Sequence, residues 1–339
     1  MPRSALLFPG ALGDFVCLLP ALHALARDTQ VEVFAKTEFA DIVPRRIPVH
    51  ALERYEISRL FVAGGALERR VRDFFSPYRC VYSWMGGREP VFAGELGAAV
   101  PGAVRLFAFR GADAAMHQAD YYLSCLGISR SDCDALVIPL RPQALKWSQE
   151  FWERYGLTKK AVLVMAPGSG AREKNWPAAY FAAVARWWRQ RTRGEVIVLL
   201  GPVEEERGGI ETLADNFITA RNLNLAQVAA LSSGAALYLG NDSGTTHLAA
   251  ALGAPTVALF GPSDARCWAP RGVKVLLLSL DVACSPCARD AMTRCPHRKC
   301  LAAFAPEKII SELEQFTDMA TLTWGRAGIT VQPDSLSTR

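Results

Sequence analysis

The sequence has no apolar stretch near the roughly 18 consecutive residues of a membrane-spanning helix. Its longest apolar runs, Val196–Gly201 and Pro255–Gly261, have the length of buried strands. There is no low-complexity tract either, and 26 glycines and 20 prolines are dispersed, which excludes disordered and collagen-like chains. Charge of one sign is scarce: the formal excess is +5 at pH 7. That does not indicate a nucleic-acid partner, although it is compatible with a weak pull towards anionic lipid or phosphorylated substrates. No Walker A lysine motif occurs, so P-loop ATP hydrolysis is not supported. Nine cysteines, an odd number in a long chain, argue against a secreted disulfide framework. The run Ala5-Leu6-Leu7-Phe8 is cut by Gly13-Asp14 before a signal-peptide core is complete, which predicts a mature cytosolic N-terminus.

What is present is a 339-residue chain that is 50% hydrophobic, enough for two domains with ordinary cores. Ser4–Phe8 reads as a strand, Gly10–Asp14 as a turn, Phe15–Arg27 as a helix and Gln30–Ala35 as a second strand. Strand, glycine turn, helix, strand is a βαβ unit and favours a parallel sheet. Further strands are expected at Arg59–Val62, Cys80–Ser83 and Arg105–Phe107, and a helix between Met116 and Leu126. Pro139–Pro142 marks a boundary. Beyond it, helices are expected at Gln143–Tyr155, Pro177–Arg191, Leu225–Ser232, Thr245–Leu252 and Pro306–Phe316. They alternate with strands at Ala161–Ala166, Glu195–Leu200, Ala236–Leu239 and Thr256–Phe260. Two such series predict two doubly wound α/β domains facing a cleft: 1–142, 143–316, and an unassigned tail, 317–339.

Four loops carry chemistry. Gly10-Ala11-Leu12-Gly13-Asp14 follows the first strand, so its glycines permit a tight turn and the next helix offers free N–H groups to anions. Asp14 reads either as a general base aimed into the cleft or as a helix cap. Pro167-Gly168-Ser169-Gly170, running on to Lys174, repeats that geometry, with Ser169 and Lys174 suited to a phosphate. Gly240-Asn241-Asp242-Ser243-Gly244-Thr245-Thr246-His247 joins a strand to a helix through a carboxylate, hydroxyls and a glycine, an anion cradle in which His247 could donate to a phosphate or sugar oxygen. One of Glu204, Glu205 and Glu206, just after another strand, suits a ribose. The second and third of these loops fall in one domain, each after a strand, and so predict a nucleoside-diphosphate site on one edge of one sheet.

In these stretches the chain resembles glycosyltransferase family 9, the ADP-heptose:lipopolysaccharide heptosyltransferases. The resemblance rests on GALGDFVCLLP (10–20), PGSGAREKNWP (167–177), GNDSGTTHLAA (240–250) and FGPSDARCWAP (260–270), with CSPC at 284–287. It implies a GT-B fold of two Rossmann-like domains and an inverting mechanism. By position, Asp14 matches the proposed base. Gly13, Ser169, Lys174, Asp242, Ser243, Gly244, Thr245 and His247 match the donor side, and Glu205, or Glu204 beside it, matches the ribose acid. The implied partners are an ADP-sugar donor and a lipid-anchored oligosaccharide or, alternatively, a protein acceptor such as an autotransporter adhesin. The implied location is cytoplasmic, with peripheral contact at the inner membrane. A nucleotide-sugar epimerase and a non-enzymatic scaffold are the competing readings. Arg69, Arg70 and Arg72, with Arg105 and Arg110, are expected to form a basic acceptor surface on the first domain or else an ordinary solvated face.

The chemistry requires no cofactor. Cys284, Cys287, Cys295 and Cys300, spaced C-x2-C-x7-C-x4-C, suit one structural Zn or Fe ion, with His297 as a spare ligand. Reduced structural cysteines are the alternative.

Overall fold

The computed structural model describes residues 1–111 and 115–319; most of the tail, from 320 onward, lies outside them. The first sheet contains β1 (Arg3–Leu7), β2 (Gln30–Ala35), β3 (Val49–Ala51), β4 (Cys80–Ser83) and β5 (Ala103–Leu106), all parallel, in the order β3-β2-β1-β4-β5. The second contains β6 (Val162–Ala166), β7 (Glu195–Leu200), β8 (Ile218–Arg221), β9 (Leu237–Asn241), β10 (Thr256–Phe260) and β11 (Val275–Ser279). These too are parallel, in the order β11-β10-β9-β6-β7-β8. Each sheet reverses its winding beside its first strand, and doubly wound folds bind ligands at such switch points. The GT-B arrangement of two Rossmann-like domains is therefore what the chain adopts.

The helices of seven residues or more are α1 (Leu12–Asp28), α2 (Arg69–Phe75), α3 (Pro90–Ala99), α4 (Gln118–Cys125), α5 (Pro142–Arg154), α6 (Ala178–Thr192), α7 (Leu225–Ser233), α8 (Gly244–Ala251) and α9 (Pro306–Met319). Alternation along the strands sorts the core. Leu6 and Phe8 face α1 and α4, whereas Ala5 and Leu7 face the layer of short helices and α2–α3. In the second domain Leu163, Met165, Val196 and Val198 pack against α6 and α9, and Val164, Ile197 and Leu199 against α5 and α7. Leu225, Ala229 and Leu248, from α7 and α8, belong to the core cluster of the first domain. The two domains thus share continuous apolar packing at the base of the cleft. An ion pair, Arg271 to Asp120 with N–O distances of 2.7 and 2.5 Å, ties them further.

The expected strand at Arg59–Val62 does not form. Arg59–Phe61 is a 3-10 turn, and the chain there is pinned by Glu95, whose carboxylate accepts from the N–H groups of Gly64 and Ala66 at 2.7 Å each. The sheet position is taken instead by Val49–Ala51, two of whose residues are small or aliphatic and too few to show a pattern. Strands β8 and β11, and helices α2 and α3, were also without a sequence expectation.

Candidate functional site

Residue pattern and strand geometry bring all four loops to one place. A cavity of about 360 Å3 lies between the domains, lined by Ala11, Leu12 and Gly13 on one side and by Gly168, Ser169, Glu204, Ser243, Gly244 and Thr245 on the other. Leu199, Leu223 and Val228 supply an apolar wall. Two helix N-termini, those of α1 and α8, meet at this cavity, and neither is capped by the side chain of its N-cap residue. The first N–H groups of each are without intrahelical acceptors, so both dipoles present positive ends to the same space. Their approach requires glycine. A Cβ on Gly244 would lie 2.7 Å from the Leu12 Cβ and 2.9 Å from the Gly13 nitrogen.

Asp14 stands in the first turn of α1, next in sequence to Gly13 of the cavity wall but not itself among the lining residues. Its Oδ2 accepts the Ala11 N–H at 3.1 Å, whereas its Oδ1 is buried without a hydrogen-bond partner. Cap and free acid are thus both realised, one oxygen each. Burial pushes the carboxyl above its ordinary pKa, against the pull of the Arg110 guanidinium, the Ala11 N–H and Lys174. Arg110 itself lies over the Trp268 ring, 4.7 Å from its centroid. It therefore faces the cleft and is not on one surface with Arg69, Arg70 and Arg72 of α2. Two of those three are already paired: Arg69 with Asp73, and Arg70 with Glu56 at 2.8 Å. The expected continuous basic surface is divided.

The donor-side residues separate into two groups. Gly13, Ser243, Gly244 and Thr245 line the cavity. Ser169 does so too, but its hydroxyl faces the Ala171 carbonyl at 2.7 Å and Asn175 Oδ1 at 2.6 Å, and so ties its own loop. Lys174 and Asp242 pair with each other at 2.6 Å beneath the loops and do not line the cavity. His247 stands apart from the cavity wall. It is buried against Gly13 and Cys17, with Nδ1 3.8 Å from the Cys17 Sγ, and it too is absent from the cavity lining. Burial lowers its pKa to about 4, only partly opposed by Asp242, so it is neutral at physiological pH and brings no charge to a phosphate.

Of the two glutamates considered for a ribose, Glu204 lines the cavity; Glu205 points away and pairs with Arg221 at 2.7 Å. Glu204 accepts the Gly201 N–H at 2.9 Å and sits so close to Gly168 that a Cβ there would be 1.8 Å from its Oε1. Asn241 is a residue that sequence reasoning passed over. Its amide donates to the Pro167 carbonyl at 2.7 Å and its oxygen accepts the Trp176 N–H at 3.0 Å, locking the second loop onto the third. The available signal was a fully polar residue at the carboxyl end of an apolar strand.

The four cysteines of the last loop line one small cavity together with Glu173, Met292 and His297. Burial and the neighbouring thiols raise Cys287 and Cys300 above the ordinary thiol value. As placed, no group of three or more His, Cys, Asp or Glu side chains among the described residues is arranged to hold a metal ion. The soft donor set fits Zn or Fe; the present arrangement does not present it closed. No helix among the described residues is long and apolar enough to cross a membrane.

Comparison with known proteins bears on the whole arrangement. Residues 135–296 match the model of glycosyltransferase family 9 (heptosyltransferase). The chain is 33% identical over 181 residues to lipooligosaccharide heptosyltransferase 2 of Campylobacter jejuni, covering 50% of this chain and 54% of that protein. It thus spans about half the length of the curated relatives it matches first. In fold the match is longer. The crystal structure of a family 9 glycosyltransferase from Veillonella parvula superposes with a TM-score of 0.77 at 21% identity, covering 94% of this chain and 98% of that one. The structure of the E. coli ADP-heptose lipopolysaccharide heptosyltransferase II superposes with a TM-score of 0.65 at 19% identity, covering 94% and 99%. In the sequence of residues 135–296, just under half of its length, and in the fold of nearly all of it, this chain is similar to glycosyltransferase family 9.

Proposed function

We propose that the chain is an inverting glycosyltransferase that moves a heptose, or a related sugar, from an ADP-sugar to a hydroxyl of a lipopolysaccharide core or similar lipid-borne acceptor, at the cytoplasmic face of the inner membrane. The observation that carries this reading is the meeting of two helix N-termini, one from each domain, at one cavity, with a carboxylate that has a free oxygen in the first turn of α1. The diphosphate lies against the N–H groups of α1 and α8. Glu204 accepts the ribose hydroxyls, and the base rests on Leu199, Leu223 and Val228. Asp14 takes the proton from the acceptor hydroxyl as that oxygen bonds to the anomeric carbon and the bond to the diphosphate breaks on the opposite face. ADP leaves with its new charge held by the helix ends and by Lys174, which the diphosphate draws from Asp242. His247 is a neutral packing residue between the two helices. The raised pKa of Asp14 makes it a stronger base than an exposed aspartate.

The reading extends to the last loop: Cys284, Cys287, Cys295 and Cys300 hold one Zn or Fe ion in a structural role. What supports it is the convergence of the four thiols on one cavity, where burial and the neighbouring thiols disfavour ionisation of Cys287 and Cys300 and a cation would reverse that sign. A full thiolate shell leaves no position for substrate.

The test is incubation of the purified chain with ADP-heptose and a delipidated core oligosaccharide, reading ADP release and product mass, with the anomeric configuration by NMR. Transfer with inversion is expected. Turnover of donor without acceptor would show an epimerase or hydrolase instead, and transfer only to a protein would move the acceptor class.

A further inference from the structure

On the first domain, a set of apolar side chains stands out of the surface where nothing in the site accounts for them. Leu67 is 75% exposed, Val62 48%, Phe61 46% and Val91 45%. They come from the segment 61–67 and the first turn of α3, and they are neighbours: the Phe61 ring packs on Phe92 with centroids 4.7 Å apart. This is a built surface. The Glu95 carboxylate clamps the N–H groups of Gly64 and Ala66, Arg59 closes the base of the loop on Glu68 at 2.6 Å, and Gly65 fits against the Arg59 carbonyl where a Cβ would be 2.1 Å away. Such bracing holds apolar groups in water against their tendency to fold in, at a cost that an occupant must offset.

Charge around the patch is unequal. Glu56 is buried under Arg70 and Arg54, Glu68 is engaged by Arg59 and Tyr55, and Glu95 by backbone N–H groups. Those three acids turn inward, and the exposed arginines Arg54, Arg69, Arg70, Arg72 and Arg88 outnumber the exposed acids Glu53, Asp73 and Glu89. Apolar side chains at the centre with guanidiniums at the rim match the boundary between acyl chains and phosphate headgroups, where arginine stems lie along the apolar phase and heads reach phosphate. The position is also telling. Helix α3 follows β4, which pairs with β1 in parallel, so the first turn of α3 and Asp14 lie at the same carboxyl edge of the sheet.

We propose that Phe61, Val62, Leu67 and Val91, with the surrounding arginines, dock this protein on an anionic lipid bilayer and thereby turn the Asp14 edge of the first domain towards a membrane-borne acceptor. The second clause rests on the reading of Asp14 as the transfer base; docking itself does not.

The experiment is co-sedimentation of the full chain with sucrose-loaded vesicles, of phosphatidylcholine alone or with 30% phosphatidylglycerol (about a typical anionic fraction). The same chain is assayed in parallel for transfer to the delipidated acceptor in solution. Binding is expected only to the anionic vesicles, falling steeply with added salt. The doubly substituted Phe61→Ser/Leu67→Ser chain should bind at least tenfold more weakly, with thermal unfolding and soluble transfer unchanged. Arg69→Gln/Arg72→Gln should lose the preference for phosphatidylglycerol. Three results would overturn the proposal: a wild-type chain that stays in the supernatant, a serine variant that binds as wild type does, or a patch that proves to be covered by a second copy, seen as self-association lost in the serine variant. Vesicle binding without any sugar transfer would retain docking and remove the proposed reaction; the converse would do the opposite.

Discussion

The N-termini of α1 and α8 meet glycine against backbone, and Gly244→Ala tests whether that matters. The new Cβ would sit 2.7 Å from the Leu12 Cβ, 3.0 Å from its Cγ and 2.9 Å from the Gly13 nitrogen. Carbon–carbon contacts are comfortable only from about 3.5 Å, so the shortfall approaches an ångström. The Leu12 side chain cannot clear it alone, because the Gly13 nitrogen is main chain in the first turn of α1. The N-termini of α1 and α8 must therefore separate. Overpacking of this kind costs about 1–3 kcal/mol in stability, and a misplacement of about 1 Å in an aligned site costs about 10²-fold in rate. The expected outcome is kcat/KM for transfer reduced about 10²-fold and ADP affinity, by calorimetry, weakened several-fold. Circular dichroism should still show a folded chain. Gly94→Ala in α3, where a Cβ meets nothing within 4 Å, serves as the control and should stabilise by about 0.5–1 kcal/mol. A Gly244→Ala chain with ADP affinity and kcat/KM within twofold of wild type would refute the reasoning, since it would mean that the two helix ends are not held together in the working molecule.

Asp14→Asn should reduce transfer about 10²–10⁴-fold, the usual contribution of a general base, while ADP affinity changes only a few-fold. It should also raise the unfolding temperature at pH 7. The folded carboxyl binds its proton more tightly than the unfolded one, near 3.8, so the stability associated with the protonated form is lost as pH rises through the folded value, and Asn keeps the Ala11 contact without the buried charge. A lower unfolding temperature would contradict this. For His247, NMR titration should show a neutral ring down to about pH 5, consistent with a pKa near 4; a midpoint close to 6.5 would place it in a more solvated position. Protein purified without a histidine tag should carry about one Zn or Fe per chain, and Cys284→Ser with Cys287→Ser should abolish it; a ratio far below one with four freely titrating thiols would remove the metal.

Strand-to-helix loops were legible in the sequence because their signals are local. Apolar runs such as Glu195–Leu200 and Thr256–Phe260 form strands with the expected bounds, since a parallel strand buried on both faces leaves little else for such a segment to do. Glycines and a carboxylate or hydroxyl after each strand then fall at the carboxyl edge by topology alone. Short edge strands lacked that signal: Val49–Ala51 and Ile218–Arg221 are half-exposed and gain their conformation from the neighbouring strand. The segment 59–62 looked extended for the same reason in reverse, as the clamp that decides it comes from Glu95, distant in sequence.

The sequence by itself determined the two doubly wound halves, the loops that open on the cleft and the chemical types gathered there. Only the tertiary structure decided which atoms are free to act. Glu204 and Glu205 are neighbours in sequence, but successive residues on a helix point about 100° apart, so one faces the cavity and the other Arg221. His247 reads as a phosphate ligand until α8 is laid against α1, which buries it beside Cys17 and removes its charge. Lys174 and Asp242, 68 residues apart, neutralise each other because two separate loops end on one sheet edge. Gly13 and Gly244 are ordinary turn glycines in isolation; that they bring the two helix ends into contact depends on how the sheets are placed, and no local pattern records it.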